Sequence, residues 1–481
     1  MRLLRSGERF GPIFSPVILH QFFADVTVEG RGIRQMTLRG RRPVWGLKVN
    51  EMIQQRLLVV LLLAVGVSPS TVAQINCGSG SAASGKLSCL IPATVTPSGY
   101  TFSDTSTANL NSSHTARLLQ TDLGGEISQI PLASPASGII FTIDPTLHVP
   151  VPSDQSLGPI LTQRAETIGK HKLYAAFTYQ YFLLQDVDGH GLKSLPAVFL
   201  LSSSSNPNPS SPDSAAIANS RIDLKVHQWV GYLTYGLTDR VDVSVAVPLL
   251  RVNMRDTINE QIFNLTTGTT QTRTGFSQAG EATGIGDVVL AVKATFWKMK
   301  HGGLALGSEF RLPTGDEQNF LGSGTFGVKP FAAFTYGGKI SPHVNVGYLA
   351  NGNTELVVTN AGNKGGLPNR LTYSGGADWR ATSKLTIAGD VLAQRVFQAP
   401  QVQIVTNFKP FPVANPGFTI PQTTVSSTGT YNRTDGSIGF KFKPLGGLLL
   451  TGNLLVKLDQ GGLRYRMAPL FGASYTFNPS H

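Results

Sequence analysis

The chain has 481 residues, of which 41% are hydrophobic and only 14% are charged, and its formal net charge is +12. With a mean hydropathy of +0.02, this composition excludes a disordered chain and a helical membrane protein. No apolar run in the sequence reaches the roughly 18 to 20 residues that a membrane-spanning helix needs.

The first organised signal along the chain is the apolar run Leu57–Val67. Arg56 precedes it, and small residues follow it as far as Thr71-Val72-Ala73, which resembles an A-x-A cleavage site. The pattern predicts a secretory signal peptide over residues 52–73, with the mature chain beginning near Gln74.

Residues 1–51 stand in front of this signal peptide, where export does not need them. They are rich in arginine and lack strand or helix periodicity, and Met52 follows directly, so we interpret them as an unstructured, mis-assigned start. The alternative is an unusually long basic leader region. Residues 1–56 hold ten basic and four acidic residues, so the net charge falls from +12 to +6 without them. Because no nucleic-acid-binding motif accompanies that charge, we expect no nucleic-acid partner.

Residues 74–170 form an N-terminal segment ahead of the main domain. Up to about Ser137 it is rich in Ser, Thr, Ala and Gly, which predicts loose order. Cys77 and Cys89 lie close together here, and in an oxidising periplasm the simplest interpretation is one small disulfide loop. A lipidated cysteine is the alternative, although Cys77 lacks the usual small residue before it. With no histidine or second cysteine pair nearby, neither a metal site nor a cofactor is expected.

The second half of this segment is more ordered in pattern. Gly138–Pro145 predicts a short strand, and the apolar and charged stretch Leu157–Thr167 leads directly into the main domain. This stretch either folds back as a plug, with Arg164 and Glu166 paired against charges in a lumen, or packs below the domain as a periplasmic extension.

Residues 171–477 repeat one unit twelve times: about ten residues of alternating apolar and polar side chains. In Asp287–Trp297, Val288, Leu290, Val292, Ala294 and Phe296 share one parity, and the other parity carries Asp287, Lys293 and Thr295. Tyr431–Lys443 and Arg464–Phe477 alternate in the same way, with Tyr465 on the apolar side of the latter. This period of two is typical of a β-strand with one apolar and one polar face.

The connections between these units alternate between tight turns, such as Gly337–Lys339 and Pro444–Gly447, and mostly long polar links, such as 185–220, 253–286 and 398–432. This alternation predicts an all-β fold, a transmembrane antiparallel barrel of about twelve strands in the outer membrane, with its short turns in the periplasm. Residues 478–481 form a short tail.

The inward parity of the cleaner strands predicts a wet lumen of mixed charge, lined by Lys293, Glu309, Arg311, Lys329, Asp378, Asp390 and Lys441. If the four cations line an open pore, their charge should favour anions. The alternative is that these charges pair with one another in a closed barrel.

Two glycine-rich motifs carry a resemblance. Gly284-Ile285-Gly286-Asp287 opens one strand and Leu312-Pro313-Thr314-Gly315-Asp316 ends the next, as in the bacterial outer-membrane transporter family of the phenol-degradation meta-pathway type. The resemblance spans roughly residues 171–477 and implies a barrel that passes small, often aromatic or hydrophobic molecules. From the residue types alone, the favoured interpretation of Pro313, Thr314, Gly315 and Asp316 is a turn that leaves the membrane. A contact with a ligand or cation is the second interpretation.

Three functional classes follow. A channel or transporter in the cell outer membrane is favoured; a surface structural or adhesive barrel that acts through its long loops is the alternative. An enzyme is not expected, since His343–Gly347 does not resemble the His-x-Ser-Asn-Gly motif of outer-membrane phospholipases and no catalytic residue is predicted. The expected partners are outer-membrane lipids, a small-molecule solute, and the barrel-assembly machinery, which would read the C-terminal aromatics Phe471, Tyr475 and Phe477.

Overall fold

The computed structural model describes residues 85–102, 119, 122–133, 141–143, 150–152, 156–208, 212–299, 301–358, 364–409 and 418–477, all within the compact unit Thr71–His481. The predicted signal peptide, the residues before it, Cys77 and the tail 478–481 lie outside these ranges. Within them, no helix is long and apolar enough to cross a membrane.

The main domain is a closed antiparallel barrel in which each strand pairs with the next and the last pairs with the first. This arrangement confirms the predicted fold class. Its twelve strands are β1 Leu173–Val187, β2 Ser214–Gly236, β3 Val241–Asn264, β4 Val288–Met299, β5 Gly302–Leu312, β6 Gly327–Tyr336, β7 Ile340–Asn351, β8 Asn369–Arg380, β9 Leu385–Lys409, β10 Phe418–Phe442, β11 Leu448–Lys457 and β12 Met467–Phe477.

The two faces of the wall follow the predicted parity. In β4, Val292 points outward and is 43% exposed, whereas Lys293 points inward and is 4% exposed. Ile438 and Phe440 on β10 are likewise exposed outward, while Lys441 is buried. Closure of the barrel pairs the backbone groups of every strand, and the apolar outer belt can face lipid. A bilayer requires both of a spanning protein. The domain is therefore an outer-membrane barrel.

One facing assignment is wrong. Tyr465 was grouped with the outward side chains of the last strand, but it is 0% exposed. Leu463–Tyr465 is a separate short strand that pairs with β1 through a register shift, and β12 begins only at Met467. The shift breaks the alternation, so Arg464 and Tyr465 are both buried while Arg466 is exposed.

The long links contain more regular structure than their composition predicts. β2 and β3 stay paired over their full length, far beyond the bilayer, because alternate residues such as Leu224 and Val252 face an inner apolar core. The additional strands outside the barrel are Tyr100–Phe102, His190–Gly191, Leu195–Ser203, Thr270–Ile285, Asn353–Val358 and Lys364–Gly366, together with the pair Phe141–Ile143 and Pro150–Pro152.

The N-terminal segment is also more ordered than its low-complexity composition predicts. A 3-10 turn, Leu87–Cys89, leads into the α-helix Leu90–Val95, and residues 122–127 are helical. We call residues 122–127 the lumen helix. Leu123 and Ile127 from it join one core cluster with wall residues at the long-link end of the barrel. Burial against the wall therefore orders this segment.

Candidate functional site

Residues 156–168, which we call the strap, lie inside the barrel at its short-turn end. Most of its contacts with the wall are made by buried or half-buried inward side chains. Asn345 of β7 accepts from the Gln163 amide at 2.6 Å and donates to its carbonyl at 2.9 Å. Further bonds come from Asp242 on β3, Thr295 on β4, Thr335 on β6, Asp378 on β8 and Thr386 on β9. With Lys441 of β10, seven strands around the lumen hold the strap.

Two of the predicted lumen lysines bind the strap's backbone. Lys293 donates to the carbonyl oxygens of Arg164 at 3.1 Å and Glu166 at 2.8 Å. On the opposite wall, Lys441 donates to the carbonyl oxygens of Leu157 at 3.3 Å and Pro159 at 2.6 Å. Both side chains are more than nine-tenths buried. These two ammonium groups therefore anchor the strap at both of its ends.

Arg164 and Glu166, the predicted plug residues, lie within the strap. Arg164 Nε is 3.4 Å from Glu166 Oε2, and its guanidinium also donates to the Ser156 carbonyl at 3.0 Å. This ion pair lies within the strap. Arg164 and Glu166 also interact electrostatically with the wall residues Asp378 and Lys293, and their pairing against charges of the lumen stays a prediction. The hydrogen bond from Arg164 to the Ser156 carbonyl holds the two ends of the strap together.

The lumen helix lies farther toward the long-link end. Glu126 accepts hydrogen bonds from Arg370 at 2.5 Å, from the Tyr431 hydroxyl at 2.7 Å and from Arg433 at 3.0 Å. Burial raises the pKa of Glu126, but Arg370 and Arg433 lower it by more, so its net pKa lies below its ordinary value. Glu126 is therefore a buried carboxylate that bridges β8 and β10.

A second acid on the lumen helix is in a different environment. Asp122 is 5% exposed, and burial raises its pKa well above the ordinary value of 3.8. The nearby carboxylates of Asp188 and Glu126 raise the pKa further, and Arg370 offsets only part of this. Burial therefore favours the protonated form of Asp122 more than it is favoured in an exposed aspartate.

A cavity of about 270 Å³ separates the strap from the lumen helix and the residues that follow it. Its lining is two-sided. Leu250, Val289 and Leu392 contribute apolar wall, whereas Glu309, Lys329 and Arg370 contribute polar groups. This volume lies near the lower end of the roughly 300 to 1,000 Å³ of ligand pockets.

The charged side chains that line the cavity are paired. Lys329 Nζ lies 2.6 Å from Glu309 Oε2, and Arg311 Nε lies 3.7 Å from Asp287 Oδ2. Lys293, below the cavity, has Asp242 at 3.8 Å. The four cations on which an anion preference was predicted are therefore held by acids or by strap carbonyls, and the alternative of mutual pairing describes their geometry better.

Asp378 and Asp390 flank a buried histidine. His343 Nε2 is 2.6 Å from Asp390 and its Nδ1 is 3.5 Å from Asp378, whose other oxygen accepts from Ser156 of the strap at 2.8 Å. The cluster therefore belongs to the wall that holds the strap. Within the described residues, no group of His, Cys, Asp and Glu side chains is arranged to hold a metal ion.

The two glycine-rich motifs are bonded to each other. Asp287 accepts from the Gly315 amide at 3.2 Å and from the Ser323 amide at 2.8 Å, while Thr314 donates to the Gly286 carbonyl at 2.7 Å. A side chain at Gly315 would lie 2.5 Å from the Leu321 carbonyl oxygen, so only glycine fits. The contacts support the interpretation of a turn.

The rest of the loop motif docks the N-terminal segment. Asp316 caps the 3-10 turn Glu317–Asn319 through its Oδ1 and accepts from Lys86 at 2.8 Å. Pro313 precedes this turn. Cys89 is disulfide-bonded, and its predicted partner Cys77 lies outside the described residues, so that pairing stays a prediction.

Sequence reasoning missed the lumen helix and its partners Arg370, Tyr431 and Arg433. A signal for the helix was present. Leu119, Leu123, Ile127 and Ile130 are spaced as one apolar helix face within otherwise polar sequence. The strap contains Leu157–Thr167, for which a plug in the lumen is one of the two predictions, but its wall contacts could not be predicted because they run largely through the backbone.

Comparisons with known proteins agree with this architecture. Residues 208–394 match the family model described as putative MetA-pathway of phenol degradation. Both glycine-rich motifs lie inside the matched range, and the match confirms the resemblance drawn from them. A search of curated protein sequences finds no match.

Several solved structures are similar in fold. An outer membrane channel from Pseudomonas putida F1 is 13% identical, with a TM-score of 0.41, over 65% of this chain and 98% of that one. A Pseudomonas aeruginosa FadL homologue is 10% identical, with a TM-score of 0.29, over 71% and 96%. The P. putida toluene transporter TodX is 11% identical, with a TM-score of 0.30, over 65% and 91%.

Proposed function

We propose that this outer-membrane barrel is a channel for small, uncharged, amphipathic molecules, which pass through the cavity between the strap and the lumen helix. The observation that carries the proposal is the two-sided cavity of about 270 Å³ inside the lumen. An engineered apolar cavity of about 150 Å³ holds benzene, so this volume suits a molecule of one or two rings.

The lining supports an uncharged solute. The ions at the wall already have partners, such as Lys329 with Glu309 and Arg311 with Asp287, so a charged solute would have to break an existing pair. The apolar side chains of the cavity favour a solute with hydrocarbon surface, since each Å² removed from water contributes about 25 cal/mol. The names of the similar channels, which include a toluene transporter, agree with this class.

Passage toward the periplasm requires the strap to move. The strap is held by many hydrogen bonds from side chains of seven strands, each worth about 0.5 to 1.5 kcal/mol net. Such bonds can be exchanged singly for water as the strap withdraws, because lumen side chains such as Asn345 and Thr386 remain polar partners for water. The strap therefore acts as a gate rather than a permanent wall.

The experiment fixes the strap to the barrel wall with an engineered disulfide bond. The Ala165 amide donates to the Thr335 hydroxyl at 3.1 Å, so cysteines in Ala165→Cys/Thr335→Cys can be joined by oxidation. Refolded in liposomes, the oxidised variant should lose uptake of a small aromatic alcohol, and reduction should restore it. Wild type measured with and without reductant controls for the native disulfide. Uptake that is equal in the locked and released states would contradict the proposed path.

Two partners are part of the same proposal. The outward aromatics Phe471, Tyr475 and Phe477 of β12 are exposed, as the barrel-assembly machinery would need for recognition, and the apolar outer belt fits outer-membrane lipid. Replacing Phe477 with Ser should slow assembly in cells without changing conductance of refolded protein, which separates an assembly role from a transport role.

A further inference from the structure

The outer face of β1, β2 and β3 changes from apolar to mostly charged and polar side chains on the long-link side of the membrane. On β3 the outward side chains are apolar from Val241 to Leu249, a length that matches the 9 to 11 residues of a spanning strand. In register, Leu249 lies beside Trp229 of β2 and Ile285 of the adjoining strand. This row marks the last apolar level of the wall.

Four of the next outward positions are basic. Arg251 follows Leu249 by two residues, Lys225 lies beside Asn253 on the second level, Arg255 beside Asp223 on the third, and Arg221 beside Thr257 on the fourth. We call these four residues the basic patch. Successive outward positions are about 6 to 7 Å apart along a strand, so the patch begins within one headgroup of the hydrocarbon boundary. All four side chains are exposed.

The patch keeps a net positive charge after its internal pairs are counted. Arg251 pairs with Glu281 at 2.8 Å and Arg221 with Asp223 at 3.6 Å. In the part of the chain that the structure describes, Lys225 and Arg255 form no ion pair. These two line an open groove on the outer face together with Asn253 and the acids Asp223 and Glu281. Two unengaged cations at the lipid boundary fit an anionic partner.

An aromatic shelf lies at the start of the patch, with His227 beside Arg251 and Trp229 one level beneath. Tyr179 and His227 are hydrogen-bonded at 2.9 Å, and His227 stacks on Trp229 with ring centroids 5.9 Å apart. Aromatic side chains of this kind occupy the interface between hydrocarbon and headgroups. The shelf therefore sets the basic patch at headgroup level.

We propose that the basic patch binds the phosphate groups of an anionic lipid in the outer leaflet of the outer membrane. Lys225 and Arg255 would hold the phosphate in the groove, Arg251 would contact it from the boundary, and the acyl chains would lie along Trp229 and Leu249. Arginine and lysine bind phosphate through strong charge-assisted hydrogen bonds. The site is separate from the lumen and does not depend on transport.

The test measures lipid retained by the protein. Wild type is refolded into phosphatidylcholine vesicles with and without lipid A, a doubly phosphorylated glycolipid, then extracted in detergent and examined by native mass spectrometry. Retention of lipid A over phosphatidylcholine is expected. Lys225→Gln/Arg251→Gln/Arg255→Gln should weaken apparent affinity by about tenfold or more, since each lost charge-assisted bond contributes.

Two controls sharpen the result. Arg395→Gln removes an exposed, outward arginine on β9, away from the patch, and should leave retention unchanged. Glu281→Gln removes an acid from the patch and should increase retention. If the triple variant fails to fold, as judged by its mobility shift on heating, Lys225→Gln/Arg255→Gln carries the test, because these two side chains make no ion pair among the described residues.

Three results would overturn the proposal. Equal retention in wild type and the patch variants would show that the patch does not bind the lipid. Loss of equal size in Arg395→Gln would show a general charge effect. Full displacement of lipid A by an equal concentration of inorganic phosphate would assign the site to a free anion instead of a lipid.

Discussion

The strap and the lumen helix occupy opposite ends of the same cavity but are held in opposite ways. Polar side chains of the wall bind the strap largely through its peptide groups, as Lys293 and Asn345 do. The lumen helix is held by one side chain, Glu126, and by apolar burial of Leu123 and Ile127. The position of the strap therefore depends on the side chains of the wall, whereas the position of the lumen helix depends on the helix's own side chains.

The largest expected effect is at Glu126. Glu126→Ala would leave Arg370 and Arg433 buried without this carboxylate, and removing one partner of a buried pair costs about 3 to 5 kcal/mol. We expect the lumen helix to undock, which limited proteolysis and a lower midpoint of thermal unfolding would report. Glu281→Ala, at an exposed ion pair on the outer face, is the matched control. An unchanged protease pattern would contradict the assigned role of Glu126.

A smaller effect is expected at the strap anchors. Lys293→Met or Lys441→Met removes two charged hydrogen bonds to strap carbonyls, and bonds to charged groups contribute about 1.5 to 3 kcal/mol each. Strap release should raise single-channel conductance in planar bilayers while the barrel stays folded. Lys298→Met, an exposed lysine on the same strand as Lys293, should not change conductance. Conductance equal to wild type in both anchor variants would argue that the strap is not a gate.

The lumen helix should also respond to pH through Asp122. Burial raises the pKa of Asp122 above 3.8, so the folded state binds its proton more tightly than the unfolded state. The stabilisation is therefore present at low pH and is lost as pH rises toward the folded pKa. Asp122→Asn should abolish this loss, so its gain in thermal stability over wild type should grow with pH. A gain that is constant across pH would show that Asp122 does not titrate.

The smallest effect is expected from the strap's own side chains. Gln163 bonds to Asn345 through its backbone amide and carbonyl, so Gln163→Ala should change the free energy of unfolding by no more than about 0.5 kcal/mol. Asn345→Ala should cost about 1 to 3 kcal/mol, because it leaves two strap backbone groups without a partner. A larger loss of unfolding free energy in Gln163→Ala than in Asn345→Ala would show that the strap's own side chains fix its position.

The sequence was most informative where burial repeats with a period. Val292 and Lys293 alternate because the two faces of one strand meet lipid and lumen, and this alternation predicts the barrel directly. The same reasoning failed at Tyr465, where a register shift breaks the period. It predicted that Leu157–Thr167 is either a plug in the lumen or a periplasmic extension but could not choose between them, because a peptide carbonyl that accepts from Lys441 leaves no mark in residue identity. The ion pairs of the lumen could not be predicted for another reason. Lys329 and Glu309 lie on different strands, and they meet because of the register in which β5 and β6 pair.

The cavity enclosed between strap and lumen helix has a kinetic consequence. A compartment of about 270 Å³ holds one small solute at a time, so an occupied barrel must discharge its guest before admitting the next. Flux should therefore level off as external concentration rises, and two different solutes should compete for entry. In an open aqueous pore of constant diameter, the flux of each solute would instead rise in proportion to its own concentration and would not depend on the other solute.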